Sequence, residues 1–185
     1  MRLFLMILCL WLPVNQPVYA DIASAARSIE WVKGEFKDYG KDYPGFGYSQ
    51  GYKSSEGWIT IYSYTGEFND WKEGLQDARL RQVLDAAIDE VKSQSDKGEY
   101  KDLATSPIKE RNIAGTAYYQ VDFRYNYGGE AIDSSLYLTV KNGILLKYRI
   151  SFYSEPSFSM NEAASSFIMR SQDESLSPAS KLQKI

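Results

Sequence analysis

The chain has 185 residues, with 21 Lys+Arg against 24 Asp+Glu, one Cys and no His. That length suits one domain of ordinary size. The mild acidity argues against nucleic acid as a partner, which needs a concentrated basic face, and the missing His excludes Ser-His-Asp and Cys-His catalysis.

Arg2 precedes an apolar run from Leu3 to Leu12, Pro13 breaks it, and Val18-Tyr19-Ala20 ends in a small residue before Asp21. The run is too short to cross a hydrocarbon core of about 30 Å as a helix. Charge, apolar stretch and small-residue site follow the order of a secretory signal peptide, so residues 1–20 are expected to be cleaved. No Arg-Arg pair precedes the run, against twin-arginine export. Cys9 follows Leu8 in mid-run, against a lipoprotein site. The expected location is periplasmic or secreted, with no integral membrane segment after cleavage. Without residues 1–20 the chain keeps 20 basic and 24 acidic residues, a charge of −4, and no thiol. Disulfide staples and an ordinary zinc site are then excluded, so the core must hold by burial alone.

Residues 21–170 are expected to form one α+β domain, and 171–185, polar and Ser-rich with Pro178, a disordered tail. Ile22, Ala25, Ala26 and Ile29 fit one face of a short helical turn, and Trp31–Phe36 reads as the strand that follows. Phe46–Lys53 and Trp58–Thr65 read as strands joined by the four-residue loop Ser54-Ser55-Glu56-Gly57. That loop puts Ile59 and Ile61 on one face with Tyr48, Gln50 and Tyr52, and Trp58, Thr60, Tyr62 and Tyr64 on the other. Large side chains on both faces require a cover on the second one: a helix, a partner or a ligand.

Asp70–Lys97 reads as the longest helix. Leu80, Leu84, Ala87, Ile88 and Val91 form its core-facing stripe, Asp70 with Glu73 its capping box, and Gly98 its stop. Residues 105–152 read as an antiparallel meander turning at Ala114-Gly115, at Tyr127-Gly128-Gly129 and at Asn142-Gly143. Apolar matching favours a three-residue loop at the last turn, pairing Val140 with Ile144, Leu138 with Leu146 and Leu136 with Tyr148. A two-residue loop would instead set Leu138 opposite Lys147 and Leu136 opposite Arg149. A short helix covers Met160–Arg170, with Ser159 and Glu162 as its capping box and Ala163, Ala164, Phe167 and Ile168 inward. The whole is an antiparallel sheet of about six or seven strands with one long and one short helix packed on it.

Two stretches carry a family resemblance, the Tyr- and Gly-rich hairpin Gly47–Tyr64 and the segment Ser135–Arg149 around Lys-Asn-Gly. With the intervening helix they resemble small uncharacterised exported bacterial proteins. More distantly, over roughly residues 30–170, the element order resembles the α/β/α sandwich of the PsbP-like proteins, accessory subunits of photosystem II. The resemblance implies a fold used for docking and accessory binding. It carries over no functional residue, and any His-based site of such a family is impossible here.

No phosphate loop, dinucleotide fingerprint or EF-hand occurs in the sequence, and no cofactor or metal is expected. A paired-carboxylate hydrolase of a cell-envelope polymer would draw on Glu67, Asp70, Glu99, Asp102, Asp122 and Glu130. A Ser-Lys dyad would use Ser49, Ser134 or Ser135 with Lys147. The unusual number is 14 Tyr in the 165 residues after the leader. Tyr suits half-buried strands and is also enriched at recognition surfaces. The candidate binding patch is Asp122, Arg124, Tyr137, Thr139, Lys147 and Arg149 on one face of the meander; read as ordinary pairing, Asp122 would meet Lys147 or Arg149 across strands. Tyr43–Tyr48 and Tyr127–Glu130 come next, as mobile aromatic loops. These readings favour contact over catalysis: an exported soluble binding or accessory protein docking on a protein or envelope component. The alternatives are the carboxylate hydrolase and a small-ligand carrier with a closed apolar cavity.

Overall fold

The computed structural model describes residues 28–154, 156 and 159–173; the expected leader and the tail beyond Asp173 lie outside them. Eight strands and two helices follow in chain order: β1 (Val32–Asp38), β2 (Tyr48–Lys53), β3 (Gly57–Tyr64), α1 (Arg79–Asp96), β4 (Lys101–Thr105), β5 (Lys109–Ile113), β6 (Thr116–Tyr127), β7 (Glu130–Lys141), β8 (Ile144–Tyr153) and α2 (Met160–Asp173). The strands form one antiparallel sheet in the order β1-β2-β3-β8-β7-β6-β4, with β5 also on β6. β4 and β5 share the long β6 because Pro107, which has no N–H to donate, interrupts the run between them. The α+β class and the long and short helices are as expected from sequence. The exposed edge strand β4 is an addition, having no apolar alternation to announce it.

Each face of the sheet has its own core and its own helix. Beneath α1, Leu80, Leu84, Ile88 and Val91 pack on Val121, Phe123, Leu136, Leu138 and Val140. Beneath α2, Ala163, Ala164, Phe167 and Ile168 pack on Ile59, Ile61, Tyr148, Ile150 and Phe152. Both inward stripes are those the periodicity gives. Burying four large aliphatics contributes on the order of 2 kcal/mol each. The exposed Arg81–Asp85 pair, 3.0 Å apart, is worth a few tenths, so packing holds α1 in place.

The long helix begins at Arg79, nine residues later than expected, and the Asp70–Glu73 box does not form. Tertiary contacts claim residues 70–78. Trp71 is buried and donates Nε1–H to the Thr65 carbonyl at 2.7 Å. Gly74, at φ +63°, exchanges backbone hydrogen bonds with Val140. Glu73 accepts the Asn142 N–H at 2.9 Å, and Asp77 takes over the helix start by accepting the Arg79 N–H at 3.0 Å. The Arg79 guanidinium, paired with Asp77 and Asp70, holds the Asp77 carboxyl well below the usual carboxylate range. At the other end Gly98 stops the helix at φ +80°. Ser159 Oγ accepts the Glu162 N–H at the start of α2, which runs three residues into the expected tail. There Ser171 is buried, and Gln172 donates to the Tyr118 hydroxyl.

The β2–β3 loop has the expected four residues, with Lys53 opposite Trp58. The three-residue loop expected at Asn142-Gly143 is overturned. Lys141 pairs with Ile144, Val140 with Leu145, Leu138 with Lys147 and Leu136 with Arg149. Asn142 and Gly143 alone make the turn, at φ +53° and +72°, the signature of a type I′ hairpin, whose twist matches that of the strands. Tyr127-Gly128-Gly129-Glu130 is likewise a tight two-residue turn, with Tyr127 paired to Glu130.

Candidate functional site

The register at Asn142-Gly143 divides the expected binding patch between the two faces. Asp122, Arg124, Tyr137 and Thr139 lie on the α2 face, Lys147 and Arg149 on the α1 face. On the α2 side the charged groups satisfy one another, while the buried Tyr137 hydroxyl has no hydrogen-bond partner among the described residues. Arg124 donates two hydrogen bonds to Asp133, at 2.8 and 2.9 Å. Asp122 accepts from Gln120 and Ser135, each at 2.7 Å, and pairs with Lys109 at 3.3 Å. The expected pairing of Asp122 with Lys147 or Arg149 is therefore replaced. Tyr137 and Thr139 are fully buried; burial pushes the Tyr137 phenol upward, and Thr139 donates its hydroxyl to the Ala117 carbonyl. Neither presents a surface.

Lys147 and Arg149 stand together in a cleft of about 220 Å³ between α1 and the sheet. Register explains the grouping. On β3 and β8, Tyr62 sits opposite Lys147, Thr60 opposite Arg149 and Trp58 opposite Ser151. These are the β3 residues that needed a cover; α1 provides the roof through Ala87, Glu90, Val91 and Gln94 and leaves space beneath it. Tyr100, on the α1–β4 connection, stacks on Tyr125 at 4.1 Å and closes one side.

Arg149 is held by its Nε–H, donated to Ser134 Oγ at 2.7 Å, and by the rings of Phe123 and Tyr125, 4.7 and 6.0 Å from its guanidinium carbon. Ser134 in turn shares a 2.7 Å hydrogen bond with Ser151. No carboxylate among the described residues pairs with Arg149, and its buried Nη2 has no acceptor there. Lys147 lies over the Tyr62 ring at 4.4 Å with its side chain 16% exposed. Its acidic neighbour Glu90 is 3.7 Å away and 70% exposed, a loose and well-hydrated contact. Burial pushes the Lys147 ammonium below its ordinary value, and the nearby Arg149 adds to this; Glu90 opposes it. Burial also raises the phenols of Tyr62, of Tyr64 to about 12, and of Tyr100 to about 12, so they present neutral hydroxyls at physiological pH.

The cleft can hold an anion: two cations, walled by aromatic rings, with one exposed carboxylate beside Lys147. None of the six carboxylates considered for hydrolysis lines it, and Glu90 is the sole acid in its wall. It is open and polar rather than the closed apolar cavity expected of a carrier. Of the other candidates, Tyr43 and Phe46 are exposed with rings 5.5 Å apart, on a loop fastened by Thr65 and Gly66 N–H groups to the Gly45 carbonyl. Tyr127 packs edge-on against Tyr100 at 5.7 Å. Sequence reasoning chose both cations of the cleft but missed Glu90, Gln94 and Tyr100. The uncovered Trp58-Thr60-Tyr62 face was the signal that a cleft or cover lay there.

No helix among the described residues is long and apolar enough to cross a membrane. No family model and no curated protein matches the chain. Among solved structures it is similar to the solution structure of the cyanobacterial PsbP (CyanoP) from Synechocystis sp. PCC 6803. The TM-score is 0.44 at 13% identity, over 68% of this chain and 71% of that one. It is similar too to a protein of unknown function from Pseudomonas aeruginosa, with TM-score 0.39 at 10% identity over 81% and 83% of the two chains.

Proposed function

We propose that this chain is an exported binding protein that acts outside the cytoplasm by holding an anionic group in the cleft beneath α1, without catalysing a reaction. The observation that carries the reading is Arg149: a guanidinium anchored by Ser134, flanked by rings, and given no counter-ion among the described residues, beside a second cation whose own acid is loosely held. Leaving a guanidinium donor buried without an acceptor costs about 1–3 kcal/mol, a cost that an incoming anion removes. The leader-like first twenty residues support export. The group is carried by an envelope component or partner on which the protein docks, or by a free small molecule; the cleft's chemistry serves both.

Thermal melts in acetate, benzoate and phosphate, against chloride at equal ionic strength, test the reading. A ligand at ten times its Kd stabilises the folded state by about 1.4 kcal/mol, a rise of roughly 3–5 °C for a domain of this size. The rise should vanish in Arg149→Gln. Identical melts in all four salts would refute anion binding. Export is tested separately, by N-terminal sequencing of the protein recovered outside the cytoplasm, which should begin at Asp21.

A further inference from the structure

We infer that the cleft selects a small monocarboxylate with a flat, apolar body over phosphate or any dianion; this rests on the anion-binding reading above. Charge is the first argument. Lys147 and Arg149 against Glu90 leave one net positive charge, which a single carboxylate neutralises and a dianion exceeds. The second is the absence from the wall of the devices that hold phosphate. No glycine lines the cleft to form a nest of backbone N–H groups. The part of α1 that roofs it runs from Ala87 at mid-helix to Gln94 in the last turn, where the helix dipole opposes concentrated negative charge. The third is shape. The walls include four rings, Trp58 and Tyr62 on β3 and the stacked Tyr100 and Tyr125, whose flat faces suit a planar body, with polar groups of Thr60, Gln94 and Ser151 set among them. A volume of about 220 Å³ falls below the roughly 300–1,000 Å³ of drug-sized sites, which points to a free molecule of one ring rather than a polymer segment.

Calorimetric titration of the full chain with sodium benzoate, and in parallel with inorganic phosphate, tests the inference. The expected result is saturable one-to-one binding of benzoate, weakened at least about tenfold in Arg149→Gln, with the Trp58 indole ¹H–¹⁵N signal shifting and the Trp71 signal unmoved. Thr60→Ile keeps both cations and narrows the cleft, so it should exclude benzoate while leaving the circular dichroism unchanged. Phosphate binding without benzoate binding would overturn the monocarboxylate and leave the anion cleft standing. Binding of neither would remove both. Undiminished benzoate affinity in Arg149→Gln, or in Thr60→Ile should Arg149→Gln fail to fold, would overturn the inference.

Discussion

Replacing Lys147 by Met should weaken anion binding without weakening the fold. Met approximates the length of the lysine stem and adapts to irregular space. The variant loses the contact to Glu90, which at 3.7 Å and with a 70% exposed acid is worth at most about 0.5 kcal/mol. It also loses the ammonium over the Tyr62 ring at 4.4 Å, about 1 kcal/mol in a partly desolvated site. Against these stands release of an ammonium whose side chain is only 16% exposed, together with burial of a thioether where a charge stood. Burial outweighs Glu90 and pushes the Lys147 pKa down, so the charged form is less favourable folded than unfolded. The expected net change lies between zero and about 1 kcal/mol of added stability. pH supplies a second reading. Below the folded pKa the penalty on the wild type is fully present. Between that value and the ordinary 10.5 the unfolded chain binds more protons, so wild-type stability rises with pH from this group. The variant's advantage should therefore be constant near neutrality and shrink as the solution becomes alkaline. Urea unfolding followed by circular dichroism, at neutral pH and one to two units below 10.5, measures both. A loss above about 1.5 kcal/mol at unchanged m-value, or an advantage that grows with pH, would refute the reasoning.

The buried phenols predict the alkaline limit of the fold. Burial raises Tyr62, Tyr118, Tyr137 and Tyr148, and brings Tyr64 from 10.0 to about 12. The unfolded chain ionises first, so stability from these groups is intact below pH 10 and falls above it; Tyr64 alone removes roughly 2.3 kcal/mol by pH 12. Phenolate absorbance at 295 nm should appear in step with loss of circular dichroism, and smooth titration of every tyrosine near pH 10 in a folded protein would contradict it. Gly57→Ala should cost more than about 3 kcal/mol in urea unfolding, because its Cβ would lie 2.0 Å from the Ser151 carbonyl oxygen on β8; a loss under about 1 kcal/mol would mean the two strands can part freely.

Periodicity reveals what a single buried face controls. Leu80, Leu84, Ala87, Ile88 and Val91, and Ala163, Ala164, Phe167 and Ile168, are legible because one side of each helix is wet. The Lys53–Trp58 hairpin is legible because its loop length sets its register. The β7–β8 register is not legible by apolar matching, since both strands are buried on both faces and every register matches apolar residues somewhere. Turn chemistry, Asn-Gly with both φ positive, decides it instead. The late start of α1 escaped for a different reason: Trp71 and Gly74 are bound by Thr65 and Val140, partners outside the helix that no local pattern contains. The site was half legible. Lys147 and Arg149 stood out as cations on a strand, but which neighbours they meet is a consequence of the turn.

That dependence also separates what β8 needs for folding from what it carries besides. β8 is the middle strand of the β1-β2-β3-β8-β7-β6-β4 path. On its α2 face it presents Leu146, Tyr148, Ile150 and Phe152, an unbroken apolar row. On its α1 face Leu145 is followed by Lys147, Arg149 and Ser151, in a position where aliphatic residues would pack against α1 and stabilise the fold further. Stability alone does not account for that row: a desolvated lysine and an arginine with no counter-ion among the described residues cost more than the apolar residues they replace. The polar row is also ordered rather than scattered, with Ser151 bonded to Ser134, Ser134 to Arg149, and the Phe123 and Tyr125 rings beside the guanidinium. A central strand that keeps two cations under a helix, and supports one of them from below, leaves space beside Arg149 for a counter-charge that none of the described residues supplies.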